Sequence, residues 1–354
     1  MEKADIGSMT KGELEAYVTA ELSEPKYRGA QIYEWLCRGA RPSEMTNIPK
    51  ALRDKLQERA LFTLPAVEEK LTSAIDGTVK YLFRLYDGAV IESVLMKYKH
   101  GNTICISSQV GCRMGCKFCA STIGGKERDL LPSELLGQVI AAERDSGEKI
   151  SNIVMMGIGE PLDNYDNVIK FLKLVNSDDG LNIGYRHISL STCGVVPKIR
   201  ELAEEKFPIT LSISLHSATD EGRSEIMPVN RKWGLRELLS ACVDYYRICG
   251  RRISFEYTLI SGKNDSVGDA AALGKLLKGA FLGTGAPIHV NLIRVNEVSE
   301  TGFKKGSPES VKAFSEELSR YGVIATVRRR LGADVNAACG QLRRSRKEKS
   351  EEKA

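Results

Sequence analysis

Residues 111–119 read GCRMGCKFC, and this stretch places Cys112, Cys116 and Cys119 at the spacing CxxxCxxC. It follows closely on an apolar, strand-like run at 104–106. Three thiolates on one short loop can bind three irons of a [4Fe-4S] cluster, whereas a closed electron-transfer cluster uses four cysteines. The fourth iron then stays open to a substrate or cofactor. The spacing therefore predicts chemistry at an iron–sulfur cluster rather than electron storage alone.

Three close cysteines have two other uses, in a zinc site with a fourth ligand elsewhere or in the disulfides of a secreted protein. The N-terminus, MEKAD, shows no apolar signal region, and no stretch approaches a membrane span. Nine cysteines in 354 residues are sparse for a disulfide scaffold. Zinc stays open, although the chain lacks the second CxxC knuckle that such sites commonly use. We expect a cytoplasmic protein with reduced thiols and no membrane association.

The composition indicates a large core and a mild excess of positive charge. With 42% hydrophobic residues and a net charge of +5, the chain is long enough for one large domain with a smaller appendage. The tail at 343–354 is basic, lacks a hydrophobic run and is predicted to be disordered. Basic residues recur around the cysteine loop and near the C-terminus, which favours a phosphate-rich partner. They are Lys97, Lys99, His100, Arg113, Lys117, Lys126, Arg128, Arg251, Arg252, Arg328, Arg329 and Arg330.

The hydrophobic pattern divides the chain into a helical start, a hairpin and a long alternating region. Residues 1–65 show helical spacing, with Thr10 and Glu13 forming a capping-box pattern before the first helix. Residues 66–97 are predicted to form a connecting β-hairpin, because strand-like runs at 79–85 and 89–96 flank an Asp-Gly turn.

Strands and helices alternate from residue 98 to about 335. Strand-like runs at 103–107, 153–156, 187–191, 209–215, 253–260 and 288–293 are separated by segments of helical length. This alternation predicts an α/β fold with a parallel sheet, and six units are too few for a closed eight-stranded barrel. We therefore expect a partial (β/α)6 barrel whose site gathers at the carboxyl ends of the strands.

Polar residues follow those strands where this rule would place them. Gly159 and Glu160 follow the second strand in GIGEP, Ser214, Leu215 and His216 end the fourth, and Asn296 follows the sixth. A carboxylate beside flexible glycines suits a cationic amine, but a plain turn is an equal alternative. A single histidine is also more often structural than catalytic, so the pattern alone leaves these roles open.

Two outlying cysteines stand apart from the loop. Cys105 lies in the strand just before it, and Cys339 lies in NAACGQL, among small residues near the C-terminus. A buried structural thiol is the simpler interpretation of Cys105, because free cysteines are among the most buried residues. For Cys339, a mobile reactive thiol and a structural one are equally supported by the residues alone.

The longer motifs resemble a known family. QVGC and the rest of the cysteine loop, MGIGEPL at 156–162, STCG at 191–194, SLH at 214–216, MPVN at 227–230 and AACGQL at 337–342 are similar to the RlmN/Cfr family of the radical S-adenosylmethionine (SAM) superfamily. The resemblance runs from about residue 10 to 342. It implies an RNA-binding helical region at 1–65, the hairpin at 66–97, a radical SAM barrel at 98–335, and a C-terminal segment at 336–342.

The resemblance implies a role for each matching residue. Cys112, Cys116 and Cys119 would ligate the [4Fe-4S] cluster, and two SAM molecules would be used per turnover. Cys339 would carry a methyl group from the first SAM, and the second would give a radical that takes hydrogen from this methyl. Cys105 would release the product by forming a disulfide with Cys339. Glu92 would be the proton acceptor, and the SAM site would comprise Gly159, Glu160, Ser191, Ser214, Leu215, His216 and Asn296.

The resemblance also implies the substrate and partners. These are C2 of an adenosine at the peptidyl transferase centre of 23S ribosomal RNA, the adenosine beside the anticodon in tRNA, and an electron donor such as flavodoxin or ferredoxin. Two alternatives stay open. One is the C8 methylation of the same adenine that the Cfr branch performs, and the other is a non-catalytic iron–sulfur or zinc protein that binds RNA.

Overall fold

The computed structural model describes residues 3–295 and 302–335. Its helices are α1 Lys11–Glu21, α2 Lys26–Cys37, α3 Lys50–Arg59, α4 Pro132–Ser146, α5 Tyr165–Asn176, α6 Val196–Glu204, α7 Asp220–Ile226, α8 Leu235–Cys249, α9 Val267–Ala280 and α10 Pro308–Arg320. Its strands are β1 Ala4–Asp5, β2 Ala60–Leu61, β3 Ala66–Thr72, β4 Val79–Arg84, β5 Val90–Met96, β6 Asn102–Cys105, β7 Gln109–Gly111, β8 Lys126–Asp129, β9 Ile150–Met155, β10 Ile188–Thr192, β11 Thr210–Ser214, β12 Ile253–Leu259, β13 His289–Arg294 and β14 Ile324–Val327.

The N-terminal helices α1 to α3 form a small unit with its own core, which includes Leu14, Ile32 and Leu52. The predicted capping box at the start of α1 is confirmed, since the backbone N–H of Thr10 donates to a Glu13 carboxylate oxygen at 2.7 Å. This unit is tied to the larger one by hydrogen bonds, among them that of the Ser133 hydroxyl to Asp5 at 2.8 Å.

The larger unit is built on one sheet that is parallel in one part and antiparallel in the other. In the described residues its strand order is β14-β13-β12-β11-β10-β9-β6-β5-β4-β3. Strands β6 and β9 to β14 are parallel neighbours with helices between them, as the predicted partial barrel requires. The predicted hairpin is β4–β5, and β3 and β6 extend it on either side, so that it is continuous with the barrel sheet.

The two faces of this sheet differ in chemistry. Residues such as Ile153, Leu190 and Phe255 alternate along the strands toward the helices and form the main core. Cys105 is paired with Val154, and both side chains lie on the opposite, inner face of the sheet. Across the neighbouring strands this inner face is formed by small or polar residues. The inner face of the parallel strands carries Ser189, Ser191, Ser212, Ser214, Ser254 and Glu256. A polar inner face at the open side of the barrel can receive a polar ligand.

No helix in the part of the chain that the structure describes is both long enough and apolar enough to span a membrane.

Candidate active site

The cysteine loop is held at both ends by backbone hydrogen bonds. Strand β7 pairs with β8, and the N–H of Cys112 donates to the carbonyl of Gly125 at 2.9 Å. The N–H of Lys117 donates to the carbonyl of Ile226 at the end of α7, also at 2.9 Å. The thiols of Cys112 and Cys116 are buried, and that of Cys119 is half-buried. The loop is therefore fixed to the barrel on both sides.

Gly111 makes the tight entry to the loop. Its φ of +80° lies in the left-handed region, and a Cβ there would collide with the carbonyl oxygen of Gly125. We expect Gly111→Ala to cost about 2 kcal/mol or more of local stability and to lower iron loading well below about four irons per chain. Gly124→Ala is the matched control, because Gly124 has open space for a Cβ and lacks a positive φ. Equal iron content in both variants after anaerobic reconstitution would contradict this role.

Asp163 braces the loop electrostatically. It accepts hydrogen bonds from Gln109 at 2.9 Å and from Lys126 at 3.0 Å, and it also pairs with Arg113. Burial acts to raise the pKa of Asp163, but these donors outweigh it and the pKa is lowered. The carboxylate thus stays ionised at neutral pH and joins the loop to the segment after β9.

The donor set of the loop fits the predicted cluster. Burial, followed by the nearby Cys119 and Glu160, raises the pKa of Cys112 to about 12, and burial also raises that of Cys116. Across residues 3–295 and 302–335, no three His, Cys, Asp or Glu side chains are placed to hold a single metal ion. Three thiols on one glycine-shaped loop are the ligand type and number that a three-cysteine iron–sulfur site uses.

Glu160 links strand β7, which precedes the cysteine loop, to the residue that directly follows β10. Its carboxylate accepts the N–H of Leu162 at 3.0 Å and that of Cys193 at 2.7 Å. Its own N–H donates to the side chain of Gln109 at 2.9 Å. Gly159 permits this close packing, since its φ is +107° and a Cβ would meet Ser108 and Gln109. Burial raises the pKa of Glu160, while the backbone donors lower it less.

His216 and its neighbours are held in a strained turn after β11. The φ of His216 is +59°, and its Nδ1 accepts the N–H of Thr258 at 2.9 Å. Burial, with the charge of Arg223, lowers the pKa of His216 to about 3. The ring is therefore neutral with its proton on Nε2. It packs edge-on against Phe118 of the cysteine loop, with the ring centres 4.7 Å apart.

Arg223 is a fully buried cation beneath this turn. It donates to the carbonyls of Leu215 at 3.1 Å, Cys193 at 2.6 Å and Ser214 at 3.1 Å, and to the Asn230 side chain at 2.9 Å. The N–H of Leu215 also donates to a carbonyl of β12 at 3.0 Å. The guanidinium therefore fixes the carboxyl ends of β10 and β11, where Ser191 and Ser214 lie on the inner face.

A second group of reactive side chains lies on the inner face of the antiparallel strands. Glu92 forms an ion pair with Lys80 at 3.1 Å, and both side chains are almost fully buried, at 2% and 0% exposure. Val94 lies opposite Cys105, so Glu92 and Cys105 share this face. Glu92 is therefore buried on the inner face and does not face solvent, as a charged residue in a strand ordinarily does. Cys105 is buried beside Val94, Met96 and Leu331.

The structure brings most of the predicted site residues to one edge of the barrel. Gly159 and Glu160 follow β9, Ser191 lies near the carboxyl end of β10, and residues 214–216 lie at the carboxyl end of β11. The cysteine loop follows β6 by way of β7, so all these residues belong to neighbouring parallel strands. Asn296 and Cys339 lie outside the described residues, so their roles stay predictions. The expected Cys105–Cys339 disulfide stays a prediction for the same reason.

Three supporting residues were missed by the sequence analysis: Lys80, Asp163 and Arg223. Arg223 left a signal, since it stands seven residues after the His216 motif on a short helix. Asp163 follows GEPL and could have been found as the next acidic residue after Glu160. Lys80 left none, because a lysine in a strand ordinarily faces solvent.

Comparisons with known proteins agree with this geometry. Residues 106–273 match the family model described as the radical SAM superfamily, and residues 4–62 match the one described as the ribosomal RNA large subunit methyltransferase N-terminal domain. A probable dual-specificity RNA methyltransferase RlmN from Alkaliphilus oremlandii is 53% identical over 345 residues, covering 97% of this chain and 98% of that protein. Its namesake from Clostridium botulinum strain Eklund 17B is 55% identical and covers 92% of each.

A solved structure supports the same assignment. The crystal structure of a radical SAM methyltransferase from Sphaerobacter thermophilus superposes with a TM-score of 0.89 at 40% identity, covering 96% of this chain and 98% of that one. Both family models, the full-length relatives and this structure agree with the three-cysteine loop at the edge of a partial barrel. The chain therefore belongs to the RlmN family of radical SAM dual-specificity RNA methyltransferases.

Proposed function

We propose that this RNA methyltransferase places a methyl group on C2 of an adenosine in two RNAs. These are 23S ribosomal RNA, at the peptidyl transferase centre, and tRNA, beside the anticodon. The observation that carries the proposal is the placement of Cys105 and Glu92 on the polar inner face of the same sheet whose parallel strands end at the cysteine loop. This arrangement provides a thiol and a carboxylate besides the cluster ligands.

The cofactors of the family are a [4Fe-4S] cluster and SAM. We assign one group of described residues to each of them. Cys112, Cys116 and Cys119 would hold the cluster. When bound, cluster and SAM together supply a radical able to remove a hydrogen atom from an unactivated methyl group. Gly159, Glu160, Ser191, Ser214, Leu215 and His216 would line the SAM site, with Asn296 added from outside the described residues.

The chemistry of the base explains why such a route is needed. C2 of adenine lies between two ring nitrogens and is electron-poor, so it is a weak nucleophile toward the electrophilic methyl group of SAM. A carbon radical carried on the protein does not depend on that nucleophilicity. The base must also leave its stack to reach a buried face, which favours single-stranded or flipped-out adenosines.

Three side chains would transfer the methyl carbon to the base and release the product: Cys339, Glu92 and Cys105. The thiolate of Cys339 would accept a methyl group from SAM and form a thioether. After the carrier carbon bonds to C2, the adduct would give up its unpaired electron to a one-electron acceptor, for which the electron carrier of the enzyme is the expected class, and Glu92 would take the proton from C2. The thiolate of Cys105 would then attack the sulfur of Cys339, forming an S–S bond as the C–S bond breaks and its electron pair moves to the product carbon, which takes up a proton to become the methyl group. An external reductant must afterwards restore both thiols.

The proposed reaction also needs an electron donor and access to RNA. The cluster needs a one-electron donor, for which flavodoxin or ferredoxin is the expected class, and the RNAs are cytoplasmic. We expect exposed basic side chains of the helical N-terminal unit, such as Lys26 and Arg38, to contact RNA phosphates.

Mass spectrometry of the modified nucleoside tests the proposal. The anaerobically reconstituted enzyme would be incubated with SAM, a reductant and either a 23S rRNA fragment or tRNA, and the RNA would then be digested to nucleosides. We expect 2-methyladenosine from both RNAs. A product carrying 8-methyladenosine would assign the chain to the Cfr-type reaction instead. The absence of a product with fully loaded enzyme would favour an RNA-binding protein without this catalysis.

A further inference from the structure

The fully buried side chain of Arg223 carries a charge that its hydrogen-bond partners do not neutralise. The guanidinium donates to the carbonyls of Leu215 at 3.1 Å, Cys193 at 2.6 Å and Ser214 at 3.1 Å, and to the amide oxygen of Asn230 at 2.9 Å. All of these acceptors are uncharged. Hydrogen bonds satisfy the N–H groups, but a cation removed from water also needs an opposite charge, because an unpaired buried ion is far more costly than a buried polar group.

The nearby carboxylates do not supply this opposite charge. Asp220 is exposed at the start of α7 and is separated from the guanidinium by Asn230, whose amide N–H donates to Asp220 at 2.9 Å. Glu160 is buried, but it accepts the N–H of Cys193, whereas Arg223 donates to the carbonyl of that residue. Across residues 3–295 and 302–335, Arg223 thus forms no ion pair with a carboxylate. Burial accordingly lowers the pKa of Arg223.

The guanidinium lies beside residues that support the cysteine loop. Cys193, whose carbonyl it binds, packs with Cys116 in one apolar cluster. The thiols of both cysteines are close enough to act electrostatically on the charge of Arg223. Helix α7, which carries Arg223, also holds the loop directly, since the carbonyl of Ile226 accepts the N–H of Lys117 at 2.9 Å. A buried cation without a carboxylate partner therefore lies next to a proposed ligand of the cluster.

We propose that Arg223 is the buried counter-charge of the [4Fe-4S] cluster and raises its reduction potential. A [4Fe-4S] core held by three thiolates is a net anion, and its reduction adds one further negative charge. A fixed cation in surroundings of low dielectric constant stabilises the reduced form more than the oxidised form. The inference rests on the proposed function, in which Cys112, Cys116 and Cys119 hold the cluster. Arg223 acts on the reaction only through the cluster and the residues around it.

A redox titration of the anaerobically reconstituted enzyme, without SAM or RNA, tests this inference. R223Q removes the charge but keeps an amide that donates hydrogen bonds, whereas R223K keeps the charge and loses most of the hydrogen bonds. The reduced cluster would be measured by EPR spectroscopy against mediators of known potential. In R223Q we expect the ratio of reduced to oxidised cluster at a fixed potential to fall about tenfold, a shift of about 59 mV to more negative values for a one-electron couple. R223K should stay near the unchanged enzyme.

K117Q is the matched control for the loss of one positive charge. Lys117 is next to Cys116 in the chain, but its side chain is exposed to water, where a charge is strongly screened. We expect K117Q to leave the reduction potential nearly unchanged. A shift in K117Q as large as that in R223Q would mean that burial of the cation is unimportant, and it would overturn the inference.

A second pair of variants covers the case in which R223Q does not bind its cluster. Cys242 is fully buried on α8 and acts electrostatically on Arg223 from the side of the main core. C242D would place a carboxylate there and neutralise the guanidinium without removing its hydrogen bonds. C242N has nearly the same shape and no charge. We expect the reduction potential of C242D to be more negative than that of C242N, in the same direction as the shift in R223Q.

The outcomes separate this inference from the proposed function. A reduction potential that is unchanged in R223Q, or equal in C242D and C242N, would overturn the role of Arg223. Equal shifts in R223K and R223Q would identify an effect of hydrogen bonding, and weaker SAM binding at an unchanged potential would make Arg223 the partner of Glu160; both would also overturn it. The nucleoside formed by the unchanged enzyme decides the proposed function separately, since 8-methyladenosine would contradict C2 methylation and leave the shift in potential as support for Arg223.

Discussion

The variant Cys339→Ala is expected to lose RNA methylation completely while it still binds its cluster and SAM. Without a thiolate at this position no thioether can form, and C2 itself is too electron-poor to attack SAM. The proposed ligands of the cluster, Cys112, Cys116 and Cys119, lie more than 200 residues earlier in the chain, so we expect the change to leave them intact. The measurement is methyl transfer to tRNA together with iron content and the absorbance of the reconstituted cluster.

Cys249→Ala is the control for the loss of a thiol. Cys249 is half-buried at the end of α8 and contacts the carbonyl of Ala203 at 3.7 Å, on the helical side of the sheet. We expect it to keep methylation near the level of the unchanged enzyme. If the Cys339→Ala variant still methylates RNA, Cys339 is not the methyl carrier, whatever the state of the cluster.

The variant Cys105→Ala is expected to stop after the carrier carbon has bonded to the base. The thioether sulfur of Cys339 would then have no thiolate to attack it, and the RNA would remain covalently attached to the protein. Labelled tRNA should accordingly co-migrate with the protein on a denaturing gel, at a yield of up to one RNA per chain and without multiple turnover. Because Cys105 contacts Val94 and Met96 in a small apolar cluster, its replacement by alanine should leave the fold intact.

The double variant C105A/C339A controls for nonspecific attachment. It lacks both the resolving thiol and the carrier, so no adduct should form. An adduct that persists in this double variant would mean that another residue is attached to the RNA. Free turnover by C105A would show that a different group releases the product.

Periodicity predicted the fold, and the spacing of the cysteines indicated the proposed cluster ligands, because both patterns are local in sequence. The alternation of strands and helices after residue 98 requires no long-range information, and CxxxCxxC is read within one loop. Each predicted strand of the barrel is present with its ends shifted by a few residues, such as 153–156 for Ile150–Met155. Strand β14 was not predicted, because it is short and largely exposed at the edge of the sheet.

The contacts that the supporting side chains make could not be predicted, because their partners are distant in sequence. Glu92 is buried only because β4 brings Lys80 beside it, and a strand pattern gives no sign of a charged residue on an inner face. Asp76 accepts the N–H of the distant Gly332, whereas a turn aspartate ordinarily accepts hydrogen bonds only within its own turn. Arg223 similarly serves four acceptors from three separate segments.

The fate of the methyl hydrogens tests the central claim most directly. The enzyme would be incubated anaerobically with tRNA, reductant and SAM whose methyl group carries deuterium at all positions, and the methylated adenosine would be analysed by mass spectrometry. If Cys339 carries the methyl group and one of its hydrogens is removed before the carbon bonds to C2, the product is 2-methyladenosine that retains all but one of the deuterium atoms. A product that retains every deuterium, or one methylated at a position other than C2, would contradict the account.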